Sequence, residues 1–349
     1  MSTDMRGPSV GASAIDGHVP AEPAVATAVR SFDLGRPTLS RGGVDRSEDL
    51  RDTERALAAW PTARVLVIDD QGRAATDPDG TALRLLDSSA VGQGPPPGAV
   101  LLGAVDGIDH WAVTRPAAEP ADGVRWHGLR EIGAVLDDSD ATLFTTAAAL
   151  LAWHRAGGFC PRCGRASQSD PVGWSRRCPQ GHQEFPRTDP AVIVLVHDGA
   201  DRMVLARQPT WPIGRVSVLA GFVEAGESLE AAVVREMAEE IGVVVDEVAY
   251  LGSQPWPFPR SLMVGFAARA DPDAPLRPRD GEIEDPRWVD RATVRALLAR
   301  GGEWDARSDD PDGVHTRAAA DVPTDQLALP GSVSIAYRMI QSWAAAGSD

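Results

Sequence analysis

The spacing of apolar residues predicts a helix in the second half of the chain. One stretch has an apolar residue at every fourth position: Leu229, Val233, Met237 and Ile241. This period places them on one buried face of a helix. Ser228 is a suitable N-cap, and Gly242 tolerates the positive φ with which many helices end. We therefore expect a helix of about three turns between Ser228 and Gly242.

Short apolar runs bounded by Gly, Pro and Asp predict strands on both sides of this helix. The N-terminal runs are 64–69, 99–102 and 111–113. The C-terminal runs are 191–196, 203–206, 216–220, 247–251 and 262–266, with a further strand starting at Trp288. Asp198-Gly199 predicts a hairpin turn between the first two of these. Helices are expected over 141–154 and 333–345, the latter with an apolar side of Ile335, Met339, Ile340 and Trp343.

The order of these segments predicts an α+β protein of several units. Residues 1–30 are rich in Ala, Pro, Gly and Ser without a period, so we expect a disordered lead-in. A first globular domain is expected over 31–155, a short cysteine-containing segment over 156–186 and a second domain over 187–349. The polar stretch 301–326 within the second domain is expected to be a mobile insertion.

Composition narrows the class of protein. The content of 43% hydrophobic and 24% charged residues is ordinary for a globular chain. The net charge is −16 and every basic residue is arginine, so a general nucleic-acid binder is disfavoured. No apolar run reaches the roughly 18 residues that span a membrane, and the N-terminus lacks a signal pattern, so we expect a cytoplasmic protein with no membrane partner. Gly92 and Gly94 precede three prolines, which excludes a dinucleotide-binding fingerprint there.

Three glutamates share another face of the predicted helix. Glu236, Glu239 and Glu240 are three or four residues apart or adjacent, which brings their carboxylates together. Such a cluster is often only a solvated charged face. Here it follows a Gly-rich loop and adjoins Arg235, which favours a site for a hard divalent cation such as Mg²⁺, held by carboxylates and substrate phosphates.

All three cysteines of the chain lie in one segment. Cys160 and Cys163 are followed by Cys178 and His182. Three thiolates and an imidazole form the closed tetrahedral set that structural zinc prefers. A redox Cys-x-x-Cys pair would not need Cys178 or His182, and a site that has lost its metal is the remaining alternative. We expect one structural zinc ion per chain.

The most unusual segment is 253–261, which contains three prolines among five residues. This composition excludes a helix or a central strand and predicts a stiff extended loop that fixes Trp256 and Phe258. One interpretation is a rigid surface turn whose aromatic rings plug the core. The other is an aromatic platform for a planar base, with Gln254 and Ser261 as polar handles.

The glutamate helix and its loop resemble the complete Nudix box. The match runs from Gly221 through Glu227 to the stretch 235–243. The Nudix family hydrolyses a nucleoside diphosphate linked to another group, with metal ions and water, inside an α/β/α sandwich with a mixed sheet. The resemblance implies that Glu236 and Glu240 are metal ligands and that Glu239 is a ligand or positions the water. It implies that Arg235 orients a glutamate and that Glu227 supports the loop.

The stretch around Trp256 resembles the array of the NADH pyrophosphatase branch of that family. The four-ligand ribbon, the stretches 185–187 and 219–222, and a preceding N-terminal α/β domain are similar to that branch as well, over roughly residues 60–345. The branch splits NAD(H) into nicotinamide mononucleotide and AMP, and in bacteria it also removes NAD caps from RNA 5′ ends. The resemblance implies a homodimer that uses Mg²⁺ or Mn²⁺ and one zinc ion per chain.

The same resemblance implies further site residues. Ala220, through its carbonyl, and Glu282 would join Glu236 and Glu240 at the catalytic metal, with Glu284 as a rival for Glu282. Phe185 and Phe222 would bracket the nicotinamide, with one aromatic ring contributed by the partner subunit. The other substrate contacts would be Gln254, Pro255, Trp256, Pro257, Phe258, Pro259, Arg260, Ser261 and Ala336.

Two positions depart from the pattern of the branch. The fourth zinc ligand is usually a cysteine three residues after the third, whereas His182 comes four after Cys178. Phe185 stands where tyrosine is common, which keeps the ring but removes a hydroxyl. Two alternative functions remain: a Nudix hydrolase of ADP-ribose or diadenosine polyphosphates, and a non-catalytic zinc-ribbon regulator that binds RNA.

Overall fold

The computed structural model describes residues 32–116, 123–279, 281–301 and 322–346. The predicted lead-in 1–30 and residues 302–321 of the predicted insertion lie outside the described part. The end of that predicted insertion is described, with Val322 buried and a 3₁₀ turn over Thr324–Gln326. Among the helices of the described ranges, none has the length and apolar character needed to cross a bilayer.

The N-terminal domain is a six-stranded mixed sheet with helices against it. Its strands are β1 Arg64–Ile68, β2 Arg73–Thr76, β3 Leu85–Asp87, β4 Val100–Val105, β5 Ile108–Thr114 and β6 Arg125–Gly128. Its helices are α1 Thr53–Ala59, α2 Leu129–Ile132 and α3 Asp138–Ala156. The strand order is β4-β5-β1-β2-β6, with β3 beside β1 and with β1 parallel to β5. Leu143, Phe144 and Ala147 of α3 pack on the sheet and form one core.

A three-stranded ribbon follows α3. Its strands are β7 Gln168–Ser169, β8 Arg176–Arg177 and β9 Gln183–Glu184. Trp174 fastens the ribbon to the N-terminal domain, because its indole N–H donates to the Leu101 carbonyl at 2.7 Å. Arg176 donates to Nδ1 of His154 in α3 at 2.9 Å. The ribbon is therefore packed on the N-terminal sheet and helix.

The C-terminal domain contains a second six-stranded mixed sheet. Its strands are β10 Asp189–His197, β11 Arg202–Leu205, β12 Leu219–Phe222, β13 Val245–Trp256, β14 Ser261–Ala270 and β15 Arg287–Asp290. Its helices are α4 Leu229–Glu240, α5 Arg291–Arg300 and α6 Ile335–Ala346. The order is β13-β14-β10-β11-β15, with β12 beside β10 and with β10 parallel to β14.

The central strand β10 is apolar on both faces because helices cover both. Val192, Val194 and Val196 belong to the core that includes α4, whereas Ile193 and Leu195 belong to the core that includes α5 and α6. This is the side-chain alternation of a strand in the middle of a three-layer fold. The predicted α/β/α sandwich and α+β class are confirmed.

Two predicted boundaries differ from the structure. The stretch 253–256, predicted as loop, is the end of β13. Since β13 lies at the edge of the sheet, Pro255 removes no hydrogen bond that a neighbouring strand requires. The strand predicted over 216–220 begins only at Leu219, although Ser217 forms an isolated bridge with Ala206.

The N-terminal segment of the described chain crosses between the domains. Phe32 and Leu34 are buried in the core formed with α6, whereas Leu39 is buried in the N-terminal core. Val333, just before α6, also packs into the N-terminal core. These two segments therefore link the cores of the two domains.

Candidate active site

Helix α4 has the ends and the buried face that its sequence predicts. The Ser228 hydroxyl accepts from the Ala231 amide at 3.1 Å, and Gly242 has φ +72°. Val233, Met237 and Ile241 have no exposed surface. Because this face is fixed against the sheet, the acidic face points along the end of β12 and toward the acidic segment before β15.

The glutamates are not a uniform solvated face. Glu236 and Glu240 are 8% and 1% exposed, whereas the side chain of Glu239 is 53% exposed. Burial raises the pKa of Glu236, Arg235 opposes that shift, and the charges of Glu239 and Glu282 raise it further. Buried carboxylates of this kind are costly unless a cation or donors compensate them.

Arg235 organises the acidic cluster through several charge-assisted hydrogen bonds. Its guanidinium donates to both carboxylate oxygens of Glu227 at 2.8 and 2.9 Å, and to Glu236 and Glu239 at 2.9 Å each. It also donates to the Phe222 carbonyl at 2.9 Å. The Glu227 carboxylate in turn accepts from the Glu224 amide at 3.0 Å, and this hydrogen bond stabilises the turn before α4. Arg235 and Glu227 thus hold the acidic helix face against β12.

Gly221 provides room for the carboxylate of Glu236. A Cβ at position 221 would lie 1.9 Å from Cδ and 2.0 Å from Oε1 of Glu236. These distances are far inside van der Waals contact, so any side chain at 221 would displace the carboxylate. The carbonyl-bearing strand β12 and the acidic helix approach closely at this point because the residue is glycine.

The acidic segment 282–285, just before β15, contains the two candidates for a third metal-binding carboxylate, Glu282 and Glu284. Glu284 pairs with Arg207, and Asp285 pairs with Arg287. The charge of Glu282 raises the pKa of Glu236, so Glu282 lies close enough to act on the helix glutamates. Since the Glu284 carboxylate is engaged by Arg207, Glu282 is the better candidate to accompany them.

A cavity of about 540 Å³ opens beside this cluster. Several predicted residues share it, since its lining includes Ala220, Glu240, Trp256 and Ala336. Its apolar walls include Ile193, Met263 and Ile283. A lining that combines a few polar groups with aromatic and aliphatic side chains is typical of a small-molecule site.

Arg130 is a lining residue that the sequence did not indicate. It lies in α2 of the N-terminal domain, and its guanidinium carbon is 4.3 Å from the Phe258 ring centroid and 5.5 Å from the Trp256 centroid. The two rings are themselves 4.9 Å apart in an edge-to-face arrangement. The N-terminal domain therefore contributes a cation to the cavity of the C-terminal domain.

The proline-rich segment fits both predicted interpretations in part. Trp256 and Phe258 pack against the N-terminal core, as the structural interpretation expects, but Trp256 also lines the cavity. Arg260 donates to the Asp189 carboxylate at 2.7 Å and so anchors the turn to the start of β10. Pro257 and Ser261 are buried, and Pro259 is exposed.

Gln254 differs from the predicted polar handle. It has no exposed surface; its amide nitrogen donates to the Val333 carbonyl at 3.0 Å, and its amide oxygen accepts from the Leu39 amide at 3.2 Å. Its side chain joins β13 to segments on either side and supports the fold.

The two predicted stacking phenylalanines are exposed in the single chain. Phe185 is 64% and Phe222 is 60% exposed. Among the described residues, neither is part of the cavity lining, and Phe185 instead borders an open groove between the ribbon and the N-terminal domain. Within one chain, neither ring is therefore part of the cavity wall formed by Glu240 and Trp256.

The predicted zinc ligands converge. The four ligand atoms of Cys160, Cys163, Cys178 and His182 all lie within 4.8 Å of one another. The Cys163 and Cys178 sulfurs are 3.7 Å apart, close to the roughly 3.8 Å expected for two thiolates at about 2.3 Å from a tetrahedral zinc ion. The ring atom that faces Cys160 is Nδ1 of His182, at 3.5 Å. The donor set fits one zinc ion.

Comparison with known proteins supports these features. Residues 187–309 match the NUDIX domain, and residues 54–153 match the NADH pyrophosphatase-like rudimentary NUDIX domain. A protein of Mycobacterium bovis (strain BCG / Pasteur 1173P2) named "NAD-capped RNA hydrolase NudC" is 48% identical over 319 residues, covering 88% of this chain and 95% of the relative.

Two further relatives carry the same name. One from Mycobacterium tuberculosis (strain ATCC 25618 / H37Rv) is 48% identical over 319 residues, covering 88% of this chain and 95% of the relative. One from Pseudomonas aeruginosa (strain LESB58) is 41% identical over 204 residues, covering 56% of this chain and 73% of the relative. This chain belongs to the Nudix hydrolase family, in the branch with an NADH pyrophosphatase-like N-terminal domain.

Proposed function

We propose that this protein hydrolyses the diphosphate bond of NAD(H), giving nicotinamide mononucleotide and AMP, and removes NAD caps from RNA 5′ ends. The observation that carries the proposal is one cavity in which the buried carboxylate of Glu240 and the ring of Trp256 both participate. The names of the relatives, NAD-capped RNA hydrolase, support it.

Mg²⁺ or Mn²⁺ is the cofactor that fits the donor set. Hard oxygen ligands are available from Glu236, Glu240, Glu282 and the carbonyl of Ala220, and such ligands suit these ions. When bound, the ions supply charge neutralisation of the diphosphate and activation of a water molecule. The zinc cluster is closed by four protein ligands and therefore has a structural role.

The protein's own groups position the reaction. Arg235 fixes the glutamates relative to β12, so that the carboxylates need little reorganisation during the reaction. Trp256 offers a flat apolar surface for a base, and Arg130 adds positive charge beside it. Ala336 and Ile283 narrow the apolar wall and exclude water from the substrate. No covalent intermediate with a side chain is required.

A homodimer is the assembly that we propose. The exposed rings of Phe185 and Phe222 support it, since large apolar side chains on the surface of one chain favour burial against a second copy. Light scattering on the purified full chain should give twice the mass of one chain. A monomer at catalytic concentrations would contradict this part of the proposal.

Turnover of a matched substrate panel tests the proposed function. NADH, NAD⁺, NAD-capped RNA, ADP-ribose and a diadenosine polyphosphate are compared at saturating Mn²⁺, with nicotinamide mononucleotide and AMP as measured products. We expect the three nicotinamide substrates to be turned over with the highest kcat/KM. Faster turnover of ADP-ribose or the diadenosine compound would favour the alternative Nudix activity, and binding of capped RNA without cleavage would favour the regulator.

A further inference from the structure

Arg207, directly after β11, is a buried arginine outside the acidic helix and its Arg235 network. Its side chain is only 6% exposed. The guanidinium donates to the carbonyls of Pro209 at 3.2 Å, Trp211, and Pro212 at 3.4 Å. The loop 208–212 is therefore wrapped around one guanidinium group. Hydrogen bonds from a charged donor are stronger than neutral ones, so this buried cation helps to fix the loop.

That loop is part of the cavity wall. Gln208, Thr210, Trp211 and Pro212 all line the cavity that also contains Glu240 and Trp256. The loop faces the substrate side of the proposed site, and its shape depends on the carbonyls that Arg207 holds. Any loosening of the loop would alter the wall that contacts the substrate.

The same guanidinium also holds the acidic segment before β15. Arg207 forms an ion pair with Glu284, and the Arg207 carbonyl accepts from the Glu284 amide at 2.9 Å. Glu284 is two residues from Glu282, whose charge acts on Glu236. The side-chain and main-chain contacts together fix the path of the segment that carries Glu282.

We propose that Arg207 is a positioning residue that couples the substrate loop 208–212 to the metal-binding segment 282–284. This inference rests on the proposed function, because Glu282 is assigned to the metal only there. Arg207 acts through the backbone of the loop and through Glu284. Removal of such outer partners lowers metal affinity or activity by about 10- to 100-fold in other sites.

The planar guanidinium is essential to this role. It presents donors in a rigid fork, so it reaches several carbonyls and a carboxylate at once, whereas a lysine ammonium is a compact charge on a flexible stem. Arg207→Lys is therefore expected to keep the pair with Glu284 while losing the carbonyl bonds of the loop. This substitution separates the two halves of the proposed role.

The test measures metal affinity and substrate kinetics independently in the full-length protein. Mn²⁺ affinity is followed by the electron paramagnetic resonance of free Mn²⁺, and KM and kcat are measured for NADH at saturating Mn²⁺. Arg207→Met should raise both the Mn²⁺ Kd and the KM by roughly tenfold. Arg207→Lys should raise the KM with a near-normal Mn²⁺ Kd, and Glu284→Gln should raise the Mn²⁺ Kd with a near-normal KM.

The control is Arg269→Met, which removes a more exposed arginine paired with Asp246 and Glu247 on β13 and should change neither constant. The proposal is overturned if Arg207→Lys behaves as the wild type in both measurements. It is also overturned if Glu284→Gln raises the KM as much as Arg207→Met does, or if all variants lower only the thermal unfolding midpoint. Failure of the wild type to turn over NADH would refute the proposed function while the Mn²⁺ measurements still tested the link to the metal segment.

Discussion

At the scale of single residues, Gly221 and Glu236 lie so close together that even a methyl group at position 221 should reduce activity. Gly221→Ala should lower kcat by about a hundredfold, because the added methyl group would overlap the Glu236 carboxylate and move it from its position. The measurement is NADH turnover as a function of Mn²⁺ concentration.

The control for that prediction is Gly94→Ala. A Cβ at position 94 meets no atom within 4 Å, and the position needs no positive φ. We expect this variant to retain wild-type kinetics. If Gly221→Ala also retained full activity, Glu236 would not need its observed position, and its proposed role as a metal ligand would be wrong.

Which residues could be foreseen depended on whether their role is local in sequence. Glu236 and Glu240 follow from helical spacing, and Ser228 and Gly242 follow from capping preferences. Arg130 gave no such signal, since its function depends on α2 packing beside Phe258, far away in the chain. The contacts of Gln254 gave no such signal either, since its partners Leu39 and Val333 are distant in sequence.

At the scale of elements, we expect the ribbon to depend on its four-ligand cluster more than on its strands. The strands β7, β8 and β9 each span two residues, too few for independent stability. Their fold is instead fixed by the four converging ligands and by Trp174 on the N-terminal sheet. We therefore expect this element to depend on a bound metal ion, whereas its neighbours are held by large apolar cores.

Zinc removal should therefore unfold the ribbon selectively. We expect a zinc-specific chelator to abolish ribbon protection in hydrogen exchange and to lower the thermal unfolding midpoint, with Zn²⁺ but not Mg²⁺ restoring both. Metal analysis should give one zinc ion per chain. Cys178→Ser serves as a matched variant and should resemble the chelated protein. Unchanged exchange in the chelated protein would mean that the cluster has no structural role.

The predicted and observed strands differ most at β13, because the position of a strand in the sheet decides whether it can contain proline. The prolines after Gln254 argue against a central strand, but β13 is an edge strand, so Pro255 fits within it. Edge position is a property of the assembled sheet, and local composition does not reveal it. The central strand β10 was predictable because a continuous apolar run is itself typical of a doubly covered strand.

At the scale of the whole molecule, the two domains repeat one strand arrangement. β1 to β6 pair with one another as β10 to β15 do, including the parallel pair at the centre. The first hairpins also match: Asp69 accepts from the side chain of Arg73, and Asp198 accepts from that of Arg202 in the same way. In place of α4, the N-terminal copy has a 3₁₀ turn at Ser88–Ala90.

This repeat explains why the N-terminal domain gave no functional signal in its sequence. Without a long helix between β3 and β4, it has no counterpart of the acidic face of α4. Its contribution to the site is Arg130, which follows β6. The repeat was not visible in the sequence because topology depends on strand order and register, which many different side chains satisfy.

Gln254 joins the two domains, which leads to a prediction about stability. Gln254→Ala would leave the Leu39 amide and the Val333 carbonyl buried without their partner, at a cost of roughly 2 kcal/mol in the free energy of unfolding. The KM for NADH should change little, since the side chain has no exposed surface. Denaturant unfolding and steady-state kinetics check both points.

The matched control is Gln71→Ala, at an exposed turn, which should leave the free energy of unfolding unchanged. An unchanged stability together with a large rise in KM for Gln254→Ala would restore the earlier expectation of a polar substrate handle.

The central claim is that carboxylates of α4 enable hydrolysis of the NAD(H) diphosphate. The most direct test is the rate at which NADH is converted to nicotinamide mononucleotide at saturating Mn²⁺. The rate is compared between the wild type, Glu240→Gln and a control, Glu230→Gln. The control changes an exposed glutamate of the same helix. We predict that kcat falls by about a hundredfold or more in Glu240→Gln and is unchanged in Glu230→Gln, with both variants folded. Near-normal product formation by Glu240→Gln would contradict the account.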